Sequence, residues 1–140
     1  MTDRRLRGLT TALALGGAAI AAYLSYSRLT DSTIVCPTSG CATVQRSAYA
    51  ELLGVPVAYL GVVGYLAIAA AATPSGGRLR RLSAALVVGA AAYATYLLVA
   101  QIALVHAVCT WCVASDAVLL CLLVVTGVRQ ARARRFRGIR

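Results

Sequence analysis

Lysine and asparagine are absent from this 140-residue chain, acidic residues number four, and histidine, tryptophan and phenylalanine occur once each. Charged residues reach only 13% of the sequence, where a soluble domain carries about a quarter. That shortage excludes a water-soluble fold. There is no internal repeat, no low-complexity segment beyond an alanine bias, and no flavin or haem motif that would supply a built-in electron carrier.

What is present is apolar: 60% of the residues are hydrophobic and the mean hydropathy is +0.78. Four low-charge stretches, 8–26, 56–72, 82–105 and 109–128, take 80 of the 140 residues. At about 1.5 Å of rise per residue each approaches the roughly 30 Å of hydrocarbon a helix must cross, allowing for tilt and a short second span. No separate soluble domain fits in the remainder. Small residues cluster in the stretches (Gly16 to Ala19, Gly61 and Gly64, Gly89 to Ala92), and such surfaces let helices approach closely in lipid. The expected fold is an all-α integral membrane protein, a four-transmembrane-helix bundle forming one domain over 1–140.

The formal charge of +10 comes from fourteen arginines. Twelve of them fall in three clusters: Arg4, Arg5 and Arg7; Arg78, Arg80 and Arg81; and Arg129, Arg132, Arg134, Arg135, Arg137 and Arg140. Four crossings place all three clusters on one face, which the positive-inside rule assigns to the cytoplasm together with both termini. Only Arg28 and Arg46 then face outward. The basic tail 129–140 reads as a topology anchor that meets anionic headgroups, and nucleic-acid binding is not expected. The first stretch resembles a signal peptide in its arginines and small residues. It is longer than an ordinary apolar core of such a peptide, and its removal would split the arginine clusters between opposite faces, so a retained helix in a multi-pass cell-membrane protein is favoured.

The inward connector 73–81 is a Pro/Gly/Ser turn ending in charge and resembles no site. The outward segment 27–55 is richer. Cys36-Pro37-Thr38-Ser39-Gly40-Cys41 favours a tight reversal in which a disulfide is sterically easy. Beyond it, Ser47 is expected to cap a half-helix over Ala48 to Leu53, with Glu51 near its positive end and Gly54 as its stop. Leu52, Leu53 and Val55 would lay this half-helix on the membrane surface over the bundle mouth, and Pro56 suits the first turn of the next span.

Four of the five cysteines form two close pairs, Cys36 with Cys41 and Cys109 with Cys112. By topology both lie on the oxidising, extracytoplasmic side, where disulfides persist. Cys109 and Cys112 are three residues apart at a helix N-terminus, on one face and within bonding reach, where the helix dipole favours a thiolate. A disulfide across residues already held by one helix constrains little, so a redox role outweighs a structural one. Two dithiols on one membrane face make a relay, and with the CxxC at hydrocarbon depth a lipid-soluble two-electron carrier, a quinone, is the natural acceptor. Two alternatives use the same residues: a zinc-binding membrane module with four cysteine ligands, which the spacings permit, and a nonenzymatic scaffold with permanent disulfides. No metal site is expected, because the CxxC sits on a helix that folds without metal. Cys121, mid-span, reads as a small packing residue.

Asp116 is the only acid within a span, one turn below Cys112. It either serves a quinone oxygen or its protons, or makes a polar contact with Thr95, Tyr96 or Gln101. Trp111 either stacks on a ring or sits in the interfacial aromatic belt, and His106 either steadies a thiolate or is solvated. Tyr23, Tyr26, Tyr49, Tyr59 and Tyr65 line the bundle mouth or pack against lipid.

These features resemble the vitamin K epoxide reductase family and its bacterial and archaeal homologues, over nearly the whole chain. The resemblance rests on four helices, a cysteine pair between the first two, Ser47 six residues after Cys41, the stretch Leu53-Gly54-Val55-Pro56-Val57, and CxxC at the head of the last helix. The DsbB enzymes also combine four helices with two cysteine pairs, but place CxxC first. The resemblance implies that Cys36 exchanges with a thioredoxin-like or DsbA-like partner. Cys41 then attacks Cys109 and frees Cys112 beside a quinone of the menaquinone, ubiquinone or vitamin K type, while Ser47 supports the site. Many bacterial relatives carry a fused thioredoxin-like domain, whereas here a separate extracytoplasmic partner is expected. Where the animal enzymes have a quinone-contacting tyrosine four residues after CxxC, this chain has Asp116, and it has no asparagine, so the family's quinone contacts transfer poorly; Asp116 and Trp111 are candidate quinone contacts on the residues themselves.

Overall fold

A chain surrounded by lipid must satisfy its backbone groups internally, and apolar runs without proline do so as helices. The computed structural model describes residues 2–73 and 76–138. Pro74 and Ser75 of the inward connector and Arg140 of the basic tail lie outside the described residues, as does the side chain of Arg137. The elements are α1 (Asp3–Thr30), α2 (Cys41–Gln45), a 3-10 turn (Ala48–Ala50), β1 (Glu51–Leu52), β2 (Val55–Pro56), α3 (Val57–Ala72), α4 (Gly77–Ala100), a π-helical turn (Gln101–Val105) and α5 (Thr110–Gly138).

Among the described residues three helical stretches, Asp3–Thr30, Gly77–Val105 and Thr110–Phe136, are long and apolar enough to cross a membrane. The fourth apolar helix, α3, has 16 residues, roughly 24 Å of rise. Helix α1 packs on α3 and α5, and α4 packs on the same two, so α1 and α4 occupy opposite corners of a bundle. The core between them is built from Ala14, Ala18, Ala21, Tyr65, Ile68, Ala69, Val87, Ala94, Leu119 and Leu122. Leu15, Val63, Val88, Leu120 and Val124 point outward, as an apolar solvent permits. The chain is an all-α membrane protein save for its two-residue strands.

The small residues do only part of the expected work. A Cβ at Gly17 would overlap the Tyr65 ring, and one at Gly61 would lie 3.3 Å from Ala21 Cβ, so these two glycines set the approach of α1 to α3. Gly16, Gly64 and Gly89 face open space. Cys121, expected as a packing residue, is exposed on α5 instead.

The half-helix over 48–53 does not form. After the 3-10 turn the chain enters a hairpin in which Glu51 pairs with Pro56 and Leu52 with Val55. Leu53 (φ 53°) and Gly54 (φ 80°) turn it, the two positive-φ residues of a tight primed turn. Glu51 is not at a helix N-terminus either: it pairs with Arg28, whose guanidinium also donates to the Gln45 carbonyl. This long-range anchor outweighs the weak preference of a six-residue segment for helix. The helical turn of the outward segment lies earlier, at α2. Ser47 makes no side-chain cap. Its hydroxyl donates back to the Val44 carbonyl at 2.7 Å and closes α2.

The basic tail continues α5 to Gly138 without interruption, because alanine and arginine are good helix formers and no breaker intervenes. At this end Asp3 lies 3.6 Å from Arg7 and 3.5 Å from the buried Arg129. Arg7 also donates to the Thr73 carbonyl at 3.2 Å, so the two termini and the end of α3 are tied together.

Candidate functional site

Cys109 is the residue before the first turn of α5, and its sulfur takes the role an oxygen plays in an ordinary cap. The Cys112 amide donates to Cys109 Sγ at 3.3 Å, filling one of the donor positions a helix start leaves open. Both cysteines are free thiols, Cys109 fully buried and Cys112 half-buried. The membrane-spanning helix runs Thr110–Phe136, so Cys109 lies one residue ahead of it rather than inside as the stretch 109–128 predicts, and its thiol is held below the usual cysteine range by the hydrogen bond from the Cys112 side chain, against burial, with help from the Cys112 amide, the Gln45 side chain and the Trp111 amide. Gln45 Nε2 points at Cys112 Sγ from 3.6 Å.

Gln101 fixes the backbone at Cys109. It is buried, its Oε1 accepts the Cys109 N–H at 2.9 Å, and its carbonyl accepts the Ala107 N–H at 3.1 Å. The π-turn begins at this glutamine and ends at His106, an exposed residue in the left-handed region (φ 53°). A wide turn that re-aims the chain next to a reactive residue is a recurrent use of π geometry. Gln101 is thus committed to Cys109 rather than to Asp116, and the Thr95 hydroxyl donates to its own helix at Ala91.

The segment between α1 and α3 folds down onto this head of α5. Cys36 and Cys41 form a disulfide. Thr38 donates to the Val108 carbonyl at 3.1 Å and lies 2.8 Å from the Thr110 hydroxyl. Gly40 sits against the Val108 backbone so closely that any Cβ would overlap it. The Trp111 indole donates to the Val35 carbonyl at 2.8 Å, and its ring lies 5.0 Å from Tyr23, whose hydroxyl accepts the Val35 N–H at 3.1 Å. Trp111 therefore clamps the loop to α1 and α5. These contacts bury Cys41, Val44 and Cys109 in one cluster, with Cys36, Cys112 and Trp111 packed against it.

Beneath the cluster a cavity of about 300 Å³ opens between the helices, lined mostly by apolar side chains. Its polar lining comes from Gln45, Ser47, Tyr49, Tyr65, Tyr93, Gln101, Cys112, Ser115 and Asp116, with Trp111 outside it. Asp116 Oδ2 is buried there without a hydrogen-bond partner among the described residues. Tyr65 is fixed by Ser115, 2.7 Å from its hydroxyl and 3.0 Å from its carbonyl. The volume, the apolar walls and a few convergent polar groups suit a small ring compound. A four-thiolate zinc set is a poor description of the cysteines, since two of the sulfurs are bonded to each other.

Of the residues singled out in the sequence, Cys36, Cys41, Cys109, Cys112 and Trp111 gather at one cluster, while Cys112, Ser47 and Asp116 line the cavity. Sequence reasoning missed Thr38, Gly40 and Gln45, and gave Gln101 a different role. Gln101 carried a signal, being a polar residue inside an apolar run. For Thr38, Gly40 and Gln45 none existed, because their partners are more than sixty residues away. Residues 9–127 match the vitamin K epoxide reductase family.

Proposed function

The chain belongs to the vitamin K epoxide reductase family, which acts on thiols by oxidation and reduction, and from that premise we propose a quinone-dependent thiol-disulfide oxidoreductase that reoxidises a separate thioredoxin-like or DsbA-like protein outside the cytoplasm. The supporting observation is the joint burial of Cys41 and Cys109 above a cavity that Cys112 enters. The arginine pattern supports four crossings with both termini inside and the cysteines outside.

In this reading a partner thiolate attacks the half-buried Cys36 and, after resolution, leaves with a disulfide while Cys36 and Cys41 become thiols. The Cys41 thiolate attacks Cys109 of an oxidised Cys109–Cys112 pair, forming a Cys41–Cys109 bond and releasing Cys112. Cys36 then attacks Cys41 and expels Cys109. The lowered pKa of Cys109 makes it a good leaving group. The loop is again a disulfide and the CxxC a dithiol, the state of this structure. Packing makes the exchange between the two cysteine pairs an intramolecular step.

The cavity residues fit a quinone head, which supplies an acceptor for two electrons and two protons. Cys112 presents its sulfur to that space, Asp116 offers a carboxyl at one wall, and Ser47 and Tyr49 line the side toward the outward segment. Asp116 holds or moves a proton at Oδ2, which has no competing partner among the described residues.

The test is purified protein with reduced partner and quinone, comparing wild type with Cys112→Ala. Loss of quinone reduction in the variant is expected, and full retention contradicts the mechanism. A protein whose disulfides never exchange with the reduced partner would be a scaffold instead.

A further inference from the structure

At the end of the bundle opposite the cysteines, α4 and α5 part around a second cavity of about 450 Å³ lined by Arg80, Arg81, Ala84, Gln130, Ala133 and Arg134. Three arginines line it, Arg80 half-buried and Arg81 and Arg134 exposed, and like charges on one cleft repel unless an anion joins them. The described residues of the chain supply none: of its four acidic side chains only Asp3 lies at this end, and it is engaged by Arg7 and Arg129. Among the described residues neither Arg81 nor Arg134 has an ion-pair partner.

The cleft is also braced. Arg80 Nε donates to Gln130 Oε1 at 3.3 Å, and Gln130 Nε2 donates back to the Arg80 carbonyl at 3.1 Å. This reciprocal pair fixes the two helices and aims one arginine before any ligand arrives. Its depth is equally telling. Arg80 and Arg81 immediately precede the apolar run that begins at Leu82, and Gln130 follows the run that ends at Val128. The cleft therefore opens where hydrocarbon meets headgroup.

We propose that this cleft is a binding site for the phosphate of an anionic phospholipid headgroup, held by Arg80, Arg81 and Arg134 between the start of α4 and the extension of α5. Guanidinium forks match phosphate oxygens geometrically, and basic pockets between helices at this depth recruit acidic lipids. A free phosphate ion offers the same chemistry without acyl chains, which would lie along the exposed apolar faces at Leu82 and Val128.

The full-length protein, purified in mild detergent, is titrated with phosphatidylglycerol, with phosphatidylcholine and with inorganic phosphate, and retained ligand is counted by native mass spectrometry. The expected result is one retained phosphatidylglycerol, little phosphatidylcholine, and no displacement by equimolar inorganic phosphate. Arg81→Gln with Arg134→Gln should weaken retention by roughly ten- to thirtyfold. The control Arg78→Gln with Arg135→Gln removes the same charge outside the cleft and should bind as wild type. Equal loss in both variants, equal retention of the two lipids, or displacement by inorganic phosphate would overturn the proposal.

Discussion

At the residue scale the chemistry turns on what surrounds two sulfurs. Cys109 is buried, yet its thiol ionises more easily than an ordinary cysteine because the Cys112 thiol and two helix-start amides donate to it. A pKa lowered in this way puts the thiolate in place at lower pH. Its thiolate fraction therefore rises with pH through a window below that of a free cysteine, and is lost as pH falls through that window. Cys112→Ala removes the side-chain donor and should move the ultraviolet thiolate titration of Cys109 upward, whereas Cys112→Ser keeps a donor and should leave it low. An unmoved titration in the alanine variant would refute the assigned cause. Asp116 makes a separate prediction. In Asp116→Ala, quinone reduction should fall by about a hundredfold, while exchange between the reduced partner and the loop disulfide proceeds at the wild-type rate. Unchanged quinone reduction would return Asp116 to a packing role.

Among the elements, position depends on contacts that sequence alone shows unevenly. The long helices were legible because uncharged runs of helix-forming residues in a membrane have one solution, and the CxxC at the head of α5 was legible because spacing and helix start coincide. The hairpin over 51–56 was not. Its segment is short, Leu53-Gly54 is a weak turn signal compared with Asn-Gly, and the deciding contact is the Arg28–Glu51 pair across the loop. The descent of the loop onto α5 was hidden for a similar reason, because Gly40 and Val108 are far apart in the chain. Gly40→Ala should leave both cysteine pairs intact but lift the loop from Val108, slowing exchange between the pairs by about a hundredfold. Stopped-flow quenching of reduced partner with the variant reads this directly, and a wild-type rate would remove Gly40 from the account.

For the whole molecule, the apolar exterior and the arginine clusters argue for one orientation, with the cysteine end outward and the arginine end inward. Leu53 is 98% exposed at the hairpin tip, and Leu79 is exposed near the start of α4. Leu53→Cys should react with an impermeant maleimide on intact cells, and Leu79→Cys only after permeabilisation; labelling of both from one face would reject the arrangement. The central claim is that Cys41 and Cys109 meet, and it is tested most directly by disulfide mapping of the Cys36→Ala, Cys112→Ala double variant after mild oxidation with diamide. Diamide takes up two electrons and two protons as the Cys41 and Cys109 thiols join, and with Cys36 and Cys112 gone no thiol of either pair is left to resolve the bond. Non-reducing peptide mass spectrometry should therefore find Cys41 joined to Cys109, and recovery of both as free thiols would contradict the account.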